Sequence, residues 1–279
     1  MQFTPLTIEQ RQRFEDDGFL IVRGALDAAM VARLTAAGDR LCDSDLQENR
    51  QLTADGLYDG FRNCIALDDA YLPLLTHSAT VPLLVQLLGP NLHLVTTHLI
   101  HKHPDPADTP RNFRSPGWHR DVGTLCEDLG HAHVPRLEMK IAYYLTDLTE
   151  PGSGSTLFAP GSHKLKDALA IDASTGNPAN AVEPSLQAGD AVLFENRTWH
   201  AAGGNFSGRT RKAVMFGYGY LWVKPFDYIL PDERLGAMTD DIGRQFLGCL
   251  KSPDGRFIPG GISTPLKNWC AQHGVVHSP

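Results

Sequence analysis

The sequence has few cysteines and no long apolar stretch, and each absence excludes a class of protein. Its five cysteines are scattered and form no CxxC pair, so we expect free thiols instead of a disulfide framework or a thiolate zinc site. No stretch approaches the ~20 apolar residues that a membrane helix needs. The segment from Met1 to Pro5 lacks the basic and apolar parts of a leader peptide. We therefore expect a cytoplasmic protein.

A surplus of basic residues is also missing. The formal net charge of −7 and the isoelectric point near 5.9 argue against a surface that binds phosphates, so we expect no nucleic-acid partner. With 42% hydrophobic and 20% charged residues, the composition is that of an ordinary globular protein. A chain of 279 residues can form one domain, and we expect a single domain over residues 1–279. The oligomeric state is not predicted.

The first part of the chain, about residues 1–90, has mainly helical patterns. Thr7 and Gln10 have the spacing of a capping box, which predicts a helix that runs to Asp17 and ends at Gly18. The other elements predicted in this part are a strand over residues 19–22, a helix capped by Asp27, and a helix over residues 81–88.

The pattern then changes to short strands separated by turn residues, and we assign the core to about residues 91–222. Many strands with no helical period between them indicate a mainly β protein with flanking helices, not a parallel α/β sheet. The predicted strands cover residues 91–102, 137–146, 155–159, 190–195 and 211–222. Residues 223–279 form a C-terminal extension whose elements the pattern does not define.

A metal site is indicated by three side chains. His119 and Asp121 form a His-x-Asp pair, and a strand would direct residues i and i+2 to the same face. His200 follows another predicted strand and can supply a third ligand. Two histidines and one carboxylate are the facial triad of non-heme Fe(II) oxygenases. A His-x-Asp pair alone occurs by chance in a chain with 12 histidines, so the prediction depends on its neighbours.

An arginine supports the same interpretation. Arg211 stands eleven residues after His200 and opens a predicted strand on which Ala213, Met215 and Gly217 share its face. These smaller or flexible side chains leave room for a ligand beside the guanidinium. Its planar pair of donors suits a carboxylate.

Together these motifs resemble the phytanoyl-CoA dioxygenase (PhyH) superfamily. The similar blocks, in order, are residues 9–20, residues 118–121 (Trp-His-Arg-Asp), residues 152–164, which end in Pro-Gly-Ser-His-Lys, and residues 200–211. The resemblance implies a double-stranded β-helix (a jelly-roll, cupin-like fold) with flanking helices. It also implies Fe(II) as the metal, 2-oxoglutarate as co-substrate and O₂ as oxidant, with Arg211 binding the distal carboxylate of 2-oxoglutarate.

The resemblance suggests further contacts to the co-substrate. A polar residue from the strand before the metal motif should lie near it, and here Thr97 or His101 would serve. Some members have a hydroxyl two residues after the distal histidine, where this chain has Ala202. Thr156 is a candidate to replace that contact.

The substrate pocket is less defined by the sequence. His101 is one candidate to line it, and Lys140 and Tyr144 share a strand face that could do so. We expect oxidation of a C–H bond in a small organic molecule, by hydroxylation or by epimerisation, cyclisation or desaturation. The length and loops are similar to those of bacterial members that tailor secondary metabolites such as antibiotics. The alternatives are a cupin-like dioxygenase that needs no 2-oxoglutarate and a non-catalytic binding module on the same fold.

Overall fold

A computed structural model describes residues 1–130, 133–250 and 263–275. Its α-helices are α1 (Ile8–Asp17), α2 (Ala28–Cys42), α3 (Cys64–Leu67), α4 (Val81–Leu88), α5 (Gly123–Leu129), α6 (Glu233–Ala237), α7 (Asp241–Phe246) and α8 (Pro265–Gln272). Its strands are β1 (Phe19–Val22), β2 (Arg50–Leu52), β3 (Tyr58–Arg62), β4 (Leu92–Lys102), β5 (Glu138–Tyr144), β6 (Thr156–Phe158), β7 (Ala191–Glu195), β8 (His200–Ala202) and β9 (Arg211–Tyr220).

Two antiparallel sheets form the core. A seven-stranded sheet has the order β1-β7-β5-β9-β4-β3-β2, and β6 pairs with β8 in a two-stranded sheet. The small sheet lies against one face of the large one, where Phe158 on β6 stacks on Phe19 on β1 with ring centroids 4.6 Å apart. The predicted mainly β jelly-roll with flanking helices is therefore confirmed.

The predicted start of the chain is also confirmed. The Thr7 side chain accepts a hydrogen bond from the Gln10 backbone N–H, and the Gln10 side chain accepts one from the Thr7 backbone N–H, which completes the capping box. Helix α1 ends at Gly18, which has a positive φ of 84°. A Cβ there would stand 2.3 Å from Thr198 Oγ1, so both the conformation and the space require glycine.

The two faces of the large sheet have different partners. The outer face packs against helices, and its cluster of buried side chains includes Leu34 of α2, Ile141 of β5 and Phe216 of β9. The inner face is directed towards β6 and β8, and its smaller cluster of buried side chains includes Phe194 and Ala213. Because alternate residues of a strand point to opposite faces, the functional side chains of β4, β5 and β9 must all lie on the inner face to meet.

A hairpin that was not predicted lies in the first 90 residues. Strands β2 and β3 form it, and β3 pairs with β4, which extends the sheet. Its sequence has no run of β-branched residues, and Gly60 interrupts it. The pairing with β4 explains the glycine, since a Cβ at position 60 would stand 2.4 Å from the carbonyl oxygen of Leu99.

The C-terminal extension packs on the same molecule as far as it is described. The buried side chain of Gln245 on α7 donates to the carbonyls of Pro90 and Leu92 and accepts from the backbone N–H of Leu266 on α8. Trp269 on α8 donates to the carbonyl of Met1. Residues 251–262 and 276–279 of the extension lie outside the described residues.

No single helix among the described residues is long and apolar enough to cross a membrane. Two consecutive helical segments, Asp69–Thr76 and Val81–Leu88, are long and apolar enough only when they are counted together, and the chain bends between them.

Candidate metal centre and cavity

Two predicted metal-binding histidines are held together by the backbone. His119 pairs with His200 in an isolated antiparallel bridge, with reciprocal N–H···O=C hydrogen bonds of 2.9 and 3.0 Å. The two ring centroids are 4.3 Å apart. One histidine comes from the end of a long loop and the other from β8, so this bridge joins two distant parts of the chain at the site, and a hydrogen bond from the Ala202 N–H to the Pro116 carbonyl adds to it.

In both imidazoles Nδ1 contacts the backbone carbonyl two residues earlier in the chain. Nδ1 of His119 lies 2.7 Å from the carbonyl oxygen of Gly117, and Nδ1 of His200 lies 2.9 Å from that of Thr198. A carbonyl oxygen only accepts hydrogen bonds, so each Nδ1 carries the proton and each Nε2 keeps a free lone pair. Such contacts fix the tautomer and the ring orientation that metal binding requires.

Asp121 completes the group, but not from a strand as expected. It lies in a bend just before α5, where Val122 adopts a left-handed conformation with φ of 55°. The carboxylate still reaches the histidines, since Asp121 Oδ2 is 3.8 Å from His200 Nε2. One ligand atom from each of His119, Asp121 and His200 lies within 4.8 Å of the others.

The protonation states also suit a metal. Burial lowers the pKa of His200 to about 4, so its imidazole is neutral near pH 7. Burial acts to raise the pKa of Asp121, but the Lys140 ammonium and the histidines lower it to about 2, so it is ionised. A neutral imidazole and an ionised carboxylate are the forms in which these side chains bind a metal.

The group opens into a cavity of about 420 Å³. This volume is in the range of small-molecule sites. The large sheet supplies one wall, to which its edge hairpin β2–β3 contributes, and the small sheet supplies another. The lining residues include Gln51, Leu52, Thr53, Tyr58, Arg62, His98, Ile100, Lys102, Ser115, Pro116, Lys140, Thr156, Phe194, Ala202, Arg211 and Met215.

Arg211 lines this cavity as a buried cation. It is only 5% exposed, its Nη2 donates to Thr156 Oγ1 at 3.1 Å, and its Nε has no hydrogen-bond partner. No ion pair joins it to an acidic side chain among residues 1–130, 133–250 and 263–275. Burying a charge without a counter-ion is costly. The arrangement therefore fits an anionic ligand such as a carboxylate.

Two residues predicted to contact the co-substrate, Thr97 and His101, are not in the cavity lining, because β4 turns its other residues to the cavity. Thr97 is buried on the outer face, where its Oγ1 accepts from the backbone N–H of Ile65. His101 lies on that face too, 3.8 Å from Asp39. The residues of β4 that line the cavity are His98, Ile100 and Lys102. Alternation alone could not decide which set faces inward, because both contain polar residues.

The remaining predicted residues lie on the inner face. Thr156 and Lys140 line the cavity. Tyr144 lies behind Thr156, with its hydroxyl donating to Thr156 Oγ1 at 2.9 Å and its ring 5.6 Å from the Arg211 guanidinium carbon. Tyr144 thus supports Arg211 and Thr156 and does not itself line the cavity.

Sequence reasoning missed Glu138. This residue is 1% exposed, and neither carboxylate oxygen has a hydrogen-bond partner. Burial raises its pKa to about 7, with Lys140 opposing the shift. Its carboxylate occupies the space that a side chain at Gly217 would need, since a Cβ there would stand 2.4 Å from Glu138 Oε1. The available signal was its spacing of two from Lys140 on one strand face.

The hairpin wall was also missed. Tyr58 and Arg62 on β3 face the cavity, and Tyr58 makes a 2.7 Å hydrogen bond to His98 Nε2. Arg62 donates to Gln51 and to Thr96. These residues add hydrogen-bonding groups to the cavity lining.

The chain is similar to known oxygenases. The family model described as "Phytanoyl-CoA dioxygenase (PhyH)" matches residues 14–213. A protein named "Dioxygenase ALT11" from Alternaria alternata is 26% identical over 237 residues, which cover 77% of this chain and 72% of that protein. "Ectoine dioxygenase" from Stutzerimonas stutzeri is 23% identical, with 79% of each chain covered.

Solved structures share the fold. The epimerase SnoN from nogalamycin biosynthesis, in complex with Fe³⁺, α-ketoglutarate and nogalamycin RO, gives a TM-score of 0.60 at 23% identity and covers 92% of this chain and 94% of its own. HygX from Streptomyces hygroscopicus, with nickel and 2-oxoglutarate bound, gives 0.63 at 18% identity, covering 80% and 90%.

Proposed function

We propose, from the premise that this chain belongs to the phytanoyl-CoA dioxygenase (PhyH) family, that His119, Asp121 and His200 bind Fe(II) and that Arg211 binds the distal carboxylate of 2-oxoglutarate. The protein is an Fe(II)/2-oxoglutarate-dependent dioxygenase by family. The observation that carries the residue assignment is that the triad and an unpaired buried guanidinium line one cavity.

His119, Asp121 and His200 would hold Fe(II), which with 2-oxoglutarate and O₂ would supply the oxidising power to attack an unactivated C–H bond, with succinate and CO₂ as the products of 2-oxoglutarate. The residues of the chain position and shield this chemistry. The Gly117 and Thr198 carbonyls orient the two imidazoles, and the cavity walls exclude water through Ile100, Phe194 and Met215.

Two neighbours of Arg211 complete the proposed carboxylate site. Thr156 shares a hydrogen bond with Arg211, and its hydroxyl lies in the cavity. Lys102 is the cross-strand partner of Arg211, so its side chain enters the cavity from the same face. Its Nζ is 3.7 Å from Asp105, which balances part of its charge. Three donors around one end of the cavity match the acceptors of a carboxylate.

The substrate we propose is a small organic molecule of secondary metabolism, such as an antibiotic intermediate. The structures named for nogalamycin biosynthesis and for a complex with hygromycin B support this choice. The outcome can be hydroxylation, or epimerisation, cyclisation or desaturation. We also propose that the enzyme acts in the cytoplasm and has no nucleic-acid partner, in keeping with its net charge of −7.

The test is an anaerobic titration of the Fe(II) protein with 2-oxoglutarate. Chelation should produce a weak visible charge-transfer band, and admission of O₂ should then release succinate that increases with the correct member of a substrate panel. Oxygen consumption that is independent of 2-oxoglutarate would instead support a cupin-like dioxygenase. Absence of both metal binding and oxygen consumption would support a binding module.

A further inference from the structure

The two carboxylate oxygens of Asp121 have different neighbours. Oδ2 faces the histidines, 3.8 Å from His200 Nε2. Oδ1 accepts a hydrogen bond of 2.5 Å from the ammonium of Lys140. The oxygen nearest to the His200 imidazole is thus Oδ2, and the other oxygen is held by a cation.

Lys140 is well placed to keep this contact. It lies on β5, a central strand, between Phe194 on β7 and Gly217 on β9 in the registers of the sheet. Its side chain is 16% exposed and that of Asp121 is 11% exposed, so water screens the pair little.

A carboxylate can bind a metal through one oxygen or through both. We infer that Lys140 is a positioning residue that makes Asp121 a one-oxygen ligand and so keeps one coordination position open. This inference rests on the proposed function, in which 2-oxoglutarate takes two positions of an octahedral metal and O₂ the third. A second oxygen from Asp121 would occupy one of these positions.

The test uses Mn(II) as the probe metal and two readouts besides activity. Water-proton relaxation counts the exchangeable waters on bound Mn(II), and an anaerobic titration gives the 2-oxoglutarate Kd. Lys140→Met should bind Mn(II) at least as tightly as the wild type, but lose about one of its roughly three waters. Its 2-oxoglutarate Kd should rise at least tenfold. Lys140→Arg, which can still donate to Oδ1, should restore both values.

The matched control is Lys212→Met. Lys212 also makes a 2.5 Å ion pair, with Asp39, and its side chain is 20% exposed, but the cavity lining does not include it. This variant should have the wild-type number of waters on bound Mn(II) and the wild-type 2-oxoglutarate Kd. If Lys140→Met does not fold, Lys140→Gln replaces it, because it removes the positive charge and shortens the side chain, so the same losses are expected.

The inference is overturned if a folded Lys140→Met or Lys140→Gln variant keeps the wild-type water count and 2-oxoglutarate Kd. It is also overturned if the variant loses Mn(II) affinity as well as the coordinated water and the 2-oxoglutarate affinity, because Lys140 would then support the whole site. Failure of the proposed function looks different, since the wild-type protein itself would then bind neither Mn(II) nor 2-oxoglutarate at this group.

Discussion

Arg211 and Glu138 lie on the same face of the large sheet, one a base and the other an acid, yet neither pairs with the other. Arg211 has an unpaired Nε and Glu138 two unpaired oxygens in the part of the chain that the structure describes. Burying either group without a partner therefore destabilises the folded protein when no ligand is bound, and replacing either residue by a neutral one should have a measurable effect.

Replacing Arg211 by alanine should weaken co-substrate binding and leave metal binding unchanged. Removing one partner of a buried charge pair costs on the order of 3–5 kcal/mol, so the 2-oxoglutarate Kd should rise by roughly two orders of magnitude or more. Arg211→Lys should recover part of this loss, since an ammonium lacks the planar two-point contact. Anaerobic titration of the Fe(II) protein measures the effect.

The control for Arg211 is its neighbour Lys212, which contacts Asp39 and does not line the cavity. Lys212→Ala should keep the wild-type Kd. Unchanged 2-oxoglutarate affinity in Arg211→Ala would assign the carboxylate to another cation, with Lys102 the first to examine.

Glu138→Gln should change how stability depends on pH. Burial raises the pKa of Glu138 from 4.5 to about 7 in the folded protein, so the folded state binds this proton more tightly than the unfolded state. The wild-type protein should thus lose stability as pH rises from about 4.5 through 7. The glutamine side chain does not ionise, so this variant should not lose stability over that range. Its free energy of unfolding should exceed that of the wild type by about 3 kcal/mol at pH 8 and equal it near pH 4.5.

Urea unfolding of both proteins from pH 4.5 to 8 measures the difference. The exposed Glu48 provides the control, because Glu48→Gln should follow the wild-type curve at every pH. An advantage of Glu138→Gln that does not grow with pH would show that this carboxylate is paired in solution.

Several single residues were predictable from the sequence for chemical reasons. His119, Asp121, His200 and Arg211 are residue types with specific chemistry at motif spacings, and the structure brings them to one cavity. Thr97 could not be placed, because a buried strand with polar residues on both faces does not reveal which face carries the ligand.

Among the elements, the β2–β3 hairpin depends most on one residue. Arg50 makes two hydrogen bonds to the Asp59 carboxylate and also donates to the carbonyls of Ser44 and Cys42. The Arg50 and Asp59 side chains are 11% and 8% exposed. This one guanidinium therefore ties both strands of the hairpin to the end of α2.

Arg50→Ala should destabilise the protein by about 3–5 kcal/mol, because it leaves the Asp59 carboxylate buried without a partner. Denaturant unfolding measures the loss, and hydrogen exchange should show the largest change in residues 50–62. Arg40→Ala is the control, since the Arg40 side chain is 62% exposed in its pair with Asp68, and it should cost less than about 1 kcal/mol. A similar cost in the two variants would contradict this role.

The elements also differ in how far the sequence defined them. Helix α1 was predictable because its capping box and terminal glycine are local signals. The hairpin was not, because Tyr58 to Arg62 become a strand through pairing with β4, a segment far along the chain. Strand formation that depends on distant partners leaves little trace in local sequence.

At the scale of the whole molecule, ligands of the metal group should stabilise the folded state. A ligand at 100 times its Kd that binds only the folded protein adds about 2.7 kcal/mol. For a chain of this size we expect Mn(II) with 2-oxoglutarate to raise the Tm by roughly 5 °C or more. Thermal unfolding of protein treated with a chelator, before and after addition of both, measures the shift.

Asp121→Ala should lose this rise, because the remaining histidines offer only two ligands to the ion. Arg211→Ala should still show the rise in Tm that Mn(II) gives without 2-oxoglutarate. An equal rise in wild type and Asp121→Ala would place the bound metal elsewhere on the protein.

One part of the cavity wall is a short hairpin that carries none of the proposed metal ligands. The triad and the wall therefore come from separate stretches of chain, and a change in one need not disturb the other. In evolutionary terms the hairpin can diverge towards a new molecule while selection preserves the oxidative centre. Exchanging residues 50–62 for the corresponding loop of a relative is accordingly a direct route to redesigning what the enzyme accepts.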